Sequence, residues 1–346
     1  MARKHTAMRW LGQMAESSGL TALAAPRYGG AGAILMLHSI VADDDPLPRD
    51  NAHTSAAFLE KMIRYYLARR VAVLSLSDAI AQLESGSARR FVSFTLDDGY
   101  RDNLNIALPI FKRHGVPFTI YVTSAFLERR YEDYGWGQVR HLVRDNCAID
   151  VEALEQRLIM GSRREKIQAY YKLKRWMKDG TLGPEALSSL FEAYRMTASE
   201  ALDRDALTVG ELASAARAEP LLEIGGHTTT HRRLALLDEA TASDDVRRNK
   251  MQLETIIDRE VRHFAYPFGD AVSCGAREFR LAKAAGFATA VTTRVGNLFA
   301  DHAQHRWCLP RLRFLGPCEG LGFMECQRSG AITAVATRFG NPVRLE

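Results

Sequence analysis

Phe91, Val92, Ser93, Phe94, Thr95, Leu96, Asp97, Asp98, Gly99, Tyr100, Arg101, Asp102, Asn103 is the stretch on which the rest of the chain is arranged. Its apolar, β-branched and aromatic half reads as a buried strand, and it stops at two adjacent carboxylates and a glycine that can turn the backbone. Neighbours inside a strand point to opposite faces, but at a frayed end both carboxylates can enter one cleft and take different roles. One then binds a cation and the other moves protons. The plainer alternative is a strand-to-helix turn in which an Asp caps the next helix. The remainder of the chain decides between them.

Upstream, Ala33 to Ile40 is a first apolar run, carrying His38 near its end, and Val71 to Leu76 reads as another strand. Downstream, Leu104, Ala107, Leu108 and Phe111 recur with helical spacing over Asn103 to His114, and Pro117 to Thr123 is the next strand. Strands joined through helices pair in parallel by right-handed crossovers, so their C-terminal ends share one face, where such folds gather ligands. Leu221 to Gly226 gives a further strand and runs into His227, Thr228, Thr229, Thr230, His231. Two imidazoles four residues apart can converge on one cation if the segment is a helical turn or a tight loop, and three consecutive threonines count against a long helix. No Glu follows the first, which excludes the zincin arrangement. A helix over Leu234 to Glu260, a strand over His263 to Asp270, a helix over Arg277 to Ala285, and strands over Ala288 to Thr293 and Trp307 to Phe314 complete the pattern. The count predicts an α/β fold, a distorted parallel (β/α) barrel of about seven strands. Residues 31–315 form this domain, interrupted at about 126–207 by a helix-rich insertion; 1–30 is an N-terminal segment with helical character, and 316–346 a tail with no assigned role.

The chain has 346 residues, 47% apolar and 25% charged, with a net charge of +5. Its basic residues are scattered, so nucleic-acid binding is not expected. Gln13, Glu16, Ser17 and Ser18 break any signal-peptide core, and no window reaches the roughly 18 apolar residues of a membrane span. Met8, Leu11 and Met14 fall on one face of a short basic helix, which allows weak membrane-surface contact. Five cysteines, Cys147, Cys274, Cys308, Cys318 and Cys326, show no paired spacing and suit a reducing, cytoplasmic setting. In the insertion, Arg163, Arg164, Lys166, Lys172, Lys174, Arg175 and Lys178 are interleaved with Tyr170, Tyr171 and Trp176. This reads either as a surface for an acidic glycan, lipid head group or nucleic acid, or as a solvated helix face with its aromatics turned inward.

Taken together, the two motifs resemble those of the polysaccharide deacetylases, the carbohydrate esterase family 4 group named after the nodulation chitooligosaccharide deacetylase. The usual Thr, Phe, Asp, Asp, Gly reads here Thr95, Leu96, Asp97, Asp98, Gly99, and Gly226, His227 and His231 fit the second motif. The resemblance implies a divalent metal, usually zinc, held by Asp98, His227 and His231, with Asp97 as general base and the backbone amide of Phe268 facing the developing oxyanion. Tyr100 and Tyr266 are the expected substrate contacts. Two departures stand out. Ala265 occupies the place of an Arg that orients the base, leaving Arg311 or Arg313 to reach the carboxylate from the last strand. The late His that supplies the general acid is also missing, and members with an early Leu, Met, Leu, His pattern resemble this chain at Leu35, Met36, Leu37 and His38, which assigns that role to His38. The implied activity is removal of N-acetyl groups from N-acetylhexosamine residues of an oligosaccharide, polysaccharide or glycan precursor. An O-acetyl esterase, a non-sugar amidase, and a carbohydrate-binding protein with lost turnover are the alternatives.

Overall fold

The computed structural model describes residues 20–48, 50, 52–87, 89–131, 134–314 and 320–343. The helix expected around Met8, Leu11 and Met14, and Cys318, lie outside the described residues. Twelve strands follow in order: β1 (Gly32–Leu37), β2 (Ser39–Val41), β3 (His53–Ser55), β4 (Ala72–Val73), β5 (Phe91–Leu96), β6 (Phe118–Val122), β7 (Ala148–Val151), β8 (Gln156–Ile159), β9 (Leu222–Gly226), β10 (His263–Ala265), β11 (Thr289–Val295) and β12 (Leu309–Arg313). The ladder β5-β6-β9-β10-β11-β12-β1 is parallel throughout, and β1 pairs with β5 from Gly32↔Phe91 to Leu37↔Leu96, closing a seven-stranded barrel. β4 adds only to the first residues of β5, through Ala72↔Phe91 and Val73↔Val92.

Alternation along the strands builds two apolar layers. In β5, Val92, Phe94 and Leu96 join the main core between barrel and helices, together with Leu35, Leu37, Phe118, Ile120, Ile224 and Phe264. The opposite parity, Phe91 with Ile34, Tyr121, Ala265, Val291 and Leu309, fills the barrel interior. Leu76, Ala79, Ile80 and Leu83 of the helix Leu76–Glu84 belong to that interior cluster. The Leu76 N–H donates to the Glu223 carboxylate at 2.9 Å, one residue into β9, so this helix plugs the mouth at the strands' N-terminal ends. Only the C-terminal mouth remains for a ligand.

Several elements differ from the sequence expectation. The strand expected over Val71 to Leu76 is two residues long, because the Ser75 side chain caps the plugging helix by accepting from the Asp78 N–H. Asn103 to His114 opens with a π-turn, Asn103–Ala107, before the α-helix Leu108–His114. The long helix is Glu239–Ile257, started by Asp238 after a separate turn at Leu234–Leu236. The insertion contains an unanticipated antiparallel hairpin, β7–β8, and an apolar core of its own that includes Leu142, Ile149, Leu158, Leu173 and Phe191. Tyr170 and Trp176 are turned into that core, whereas Tyr171 is exposed. The tail is also part of the fold. Its helices Leu321–Arg328 and Ala331–Ala336 place Phe323 and Met324 in the main core, and Asn297 bonds the Gln327 carbonyl at 3.1 Å and the Thr333 hydroxyl at 2.6 Å. No helix among the described residues is long and apolar enough to cross a membrane.

Candidate active site at the strand ends

Asp97 continues the parity of Phe91, Ser93 and Thr95 and therefore points into the barrel; it is buried, and its N–H donates to the Leu37 carbonyl at 2.9 Å. Its neighbour would face the helices if the strand ran on. Instead Asp98 takes φ +78° and Gly99 φ +77°, a left-handed turn that swings the second carboxylate over the same mouth. There the Asp98 Oδ1 lies 3.4 Å from His227 Nε2 and 3.2 Å from His231 Nε2. One possible ligand atom from each of the three residues lies within 4.8 Å of the others, and all three residues are buried.

The segment carrying the two imidazoles is a pinned loop, as three consecutive threonines suggest. Thr228 and His231 are left-handed, at φ +63° and +51°, and the His231 N–H donates to Thr228 Oγ1 at 2.9 Å. From the helix Glu239–Ile257, Asp245 accepts the Thr229 and Thr230 N–H groups at 2.6 and 3.0 Å, and Asn249 accepts that of His227 at 3.0 Å. His227 Nδ1 sits 2.8 Å from the Ala265 carbonyl, which can only accept, so Nδ1 carries the hydrogen and the Nε2 lone pair faces Asp98. Two imidazole nitrogens and a carboxylate oxygen at this spacing repel unless a proton or a cation lies among them. The donor set fits a divalent ion with coordination positions left open. Burial opposes charge on Asp98, but His227 and His231 outweigh it and hold the carboxyl well below its usual range. Burial likewise opposes protonation of His227, and the Asp98 contact reverses the sign and raises its pKa.

Of the two arginines proposed to orient Asp97, Arg311 meets it. Its Nη1 and Nη2 donate to the two Asp97 oxygens, each at 2.7 Å, and its Nε to the Thr292 carbonyl at 2.9 Å. Arg313, at the strand end, is exposed. The guanidinium stands 5.8 Å from the Tyr121 ring centroid, and a Cβ on Gly225 would come within 2.4 Å of that ring, so the glycine makes room for this column. Burial opposes charge on Asp97, yet Arg311 outweighs it and keeps the carboxyl below the ordinary value. His38 shares the inward parity of Ile34, and its Nε2 lies 3.9 Å from Asp97 Oδ2, with 22% of the side chain exposed.

Phe268 is left-handed at φ +62°, and its partly exposed ring lies 5.3 Å from the His231 ring with the Arg233 guanidinium 4.2 Å above it. Tyr100 is buried beside the cluster and accepts from Trp136 Nε1 at 3.3 Å. Tyr266 does not reach the mouth. It follows inward-facing Ala265, so its ring enters the outer core and its hydroxyl donates to the Trp307 carbonyl at 2.9 Å, which corrects its expected contact with substrate. The sequence reading missed the ring wall around His231, in which Phe126, Tyr131 and Trp136 stand at 5.6, 5.9 and 6.1 Å. Nothing periodic marks these three in the sequence; the insertion brings them back over the barrel.

A closed α/β barrel with an Asp-His-His cluster at its C-terminal mouth, and a second carboxylate clamped beside it, has the parts of a hydrolase that activates water. Residues 85–188 and 184–290 match the family model of the polysaccharide deacetylases, and the chain belongs to that family, hydrolases of N-acetyl amide bonds. None of the curated proteins compared by sequence matches it. Among solved structures, it is similar to the Streptococcus pyogenes deacetylase PplD in complex with acetate, at 16% identity and TM-score 0.54 over 82% of this chain and 92% of that one. IcaB from Ammonifex degensii matches at 14% identity and TM-score 0.55 over 87% and 98%, and a de-N-acetylase from Aggregatibacter actinomycetemcomitans at 16% and 0.53 over 85% and 98%. At these identities the likeness is one of fold.

Proposed function

We propose that the protein removes the N-acetyl group from an N-acetylhexosamine residue of an oligosaccharide, polysaccharide or glycan precursor, with Asp97 as general base and His38 as general acid. The observation that carries this reading is the Arg311 fork on Asp97, which sets an ionised carboxylate outside, yet beside, the Asp98, His227 and His231 donors. Those three residues would hold the divalent cation, Zn2+ by donor type, and when bound it supplies Lewis acidity to water and to the acetyl carbonyl. Arg311 leaves each Asp97 oxygen a free lone pair, so the carboxylate can still take a proton from the attacking water. The Phe268 N–H donates to the carbonyl oxygen as negative charge grows there. His38, nearer to solvent, delivers a proton to the departing nitrogen; the C–N bond breaks, and acetate and a free amine leave. The free thiols of Cys147, Cys274 and Cys308 support a reducing compartment, and with it a glycan precursor as substrate.

Acetate release from N-acetylated oligosaccharides, read beside the metal content of the purified protein, tests the assignment. Asp97→Asn is expected to keep the metal and lose at least about 100-fold in kcat, whereas His227→Ala loses the metal too. Parental activity in Asp97→Asn would remove the proposed base, and preferential release from O-acetylated oligomers would move the reaction to esters.

A further inference from the structure

The loop that carries Phe268 leaves β10 and is held from the neighbouring strand β11 by two consecutive residues. Thr293 donates from Oγ1 to the Phe268 carbonyl at 2.6 Å and from its N–H to the Gly269 carbonyl at 2.9 Å. Only a glycine lets it come so near, since a Cβ on Gly269 would stand 2.6 Å from the Thr293 nitrogen. Arg294 donates from Nη2 to the Cys274 carbonyl at 2.8 Å, which fastens the far end of the loop separately. Loss of the Thr293 hydroxyl would therefore act on the Phe268 turn and leave the loop attached.

Within the loop, the Gly269 N–H donates back to the Pro267 carbonyl at 2.7 Å, closing a three-residue turn around Phe268, whose φ is +62°. A γ-turn with positive φ at its centre is rare and strained, and it persists only where the surroundings over-determine it. Peptide groups are planar, and none among the described residues is cis. A bond on the Phe268 carbonyl therefore sets the direction of the Gly269 N–H, which points the opposite way across the same peptide. That N–H holds the Pro267 carbonyl, and the Phe268 N–H opposes the Pro267 carbonyl across the next plane. Through these two planes the Thr293 hydroxyl aims the Phe268 N–H. No group among the described residues accepts from that N–H, so it is free for a ligand.

We infer that Thr293 is a positioning residue, whose hydroxyl keeps the Phe268 N–H turned toward the oxygen that gains negative charge in the reaction. The inference rests on the deacetylase reading of the site. Thr293→Val is nearly isosteric, keeps the N–H bond to Gly269 and drops only the hydroxyl. In the full chain loaded with Zn2+ and acting on N-acetylglucosamine oligomers, it is expected to lower kcat at least about tenfold, with KM within about twofold and zinc content at the parental level. Thr293→Ser restores the hydroxyl and with it most of kcat. Crystal structures of the two variants give a readout independent of turnover: the Phe268 peptide leaves its positive-φ conformation in Thr293→Val and keeps it in Thr293→Ser. If the valine variant does not fold, Thr293→Ala takes its place in both measurements. An unmoved Phe268 peptide in the variant without the hydroxyl overturns the inference whatever the rates. Parental kcat, a change confined to KM, or a serine variant as slow as the valine one overturns it as well, the last being the mark of general loosening. If the parent releases no acetate from any glycan, the deacetylase reading fails by itself, and the Phe268 peptide in the two structures decides separately whether Thr293 holds it.

Discussion

Asp97 and Arg311 are buried together, and the pair is the residue-scale feature with the largest energetic leverage. Removing one partner of such a pair leaves an uncompensated charge, at about 3–5 kcal/mol. Arg311→Ala is therefore expected to lower unfolding stability by that amount and kcat by at least about 100-fold, measured by denaturant titration and acetate release. Asp102 behaves in the opposite sense. It accepts from Ser39 Oγ, from the Ile40 N–H at 3.0 Å and from Asn103 Nδ2 at 2.9 Å, and so anchors the corner that carries His38. Burial outweighs these bonds and pushes its carboxyl up to about 7. The folded protein then holds a proton that the unfolded chain releases near pH 4, so stability falls as pH rises from about 4 to 7, by about 2–4 kcal/mol. Asp102→Asn should flatten that slope in denaturant midpoints taken across the range.

At the scale of elements, the plugging helix depends on a carboxylate that lies far from it in sequence. Glu223 accepts from the N–H groups of Leu76 and Ser77 and from Thr119 Oγ1. Burial opposes its charge, but His263 and the helix N–H groups outweigh it and bring the carboxyl down to about 2. A depressed acid stabilises the fold above its unfolded pKa near 4.5, and that contribution fades as pH falls toward 2. Glu223→Gln is expected to cost about 2 kcal/mol at pH 7 and to show less acid destabilisation than the parent, as followed by circular dichroism. This cap was invisible in the sequence, because Glu223 lies 147 residues from the Leu76 N–H that it accepts. The paired Asp and the spaced His were legible because each lies within a few consecutive residues at the end of a clear apolar run. Tyr266 could have been placed by parity alone, one residue beyond inward Ala265. Parity does not separate Arg311 from Arg313, which share a face; depth in the barrel does, and depth depends on where β1 and β11 register with β12. Trp136 reaches the site only through the folding of the insertion, which no local pattern encodes.

For the whole molecule, the tail helices are structural. The Thr333 hydroxyl donates to Asn297 Oδ1 at 2.6 Å and accepts from the Asn297 N–H at 3.0 Å, and both residues are buried. Thr333→Ala strands two polar groups away from water and is expected to cost about 2 kcal/mol, seen as a fall of several degrees in Tm. The insertion follows a different logic, because part of it, joined by Leu47 of the rim loop, gathers around an apolar centre of its own, while Phe126, Tyr131 and Tyr134 pack with Tyr100 at the barrel rim. Breathing of that centre need not disturb the seven-stranded ladder, so its amide protons should trade for deuterium well before those of the barrel strands. Access to the catalytic mouth would then follow the opening rate of an appendage, and cooling or a rigidifying cross-link there would slow exchange of sugars while leaving the reactive groups where they stand.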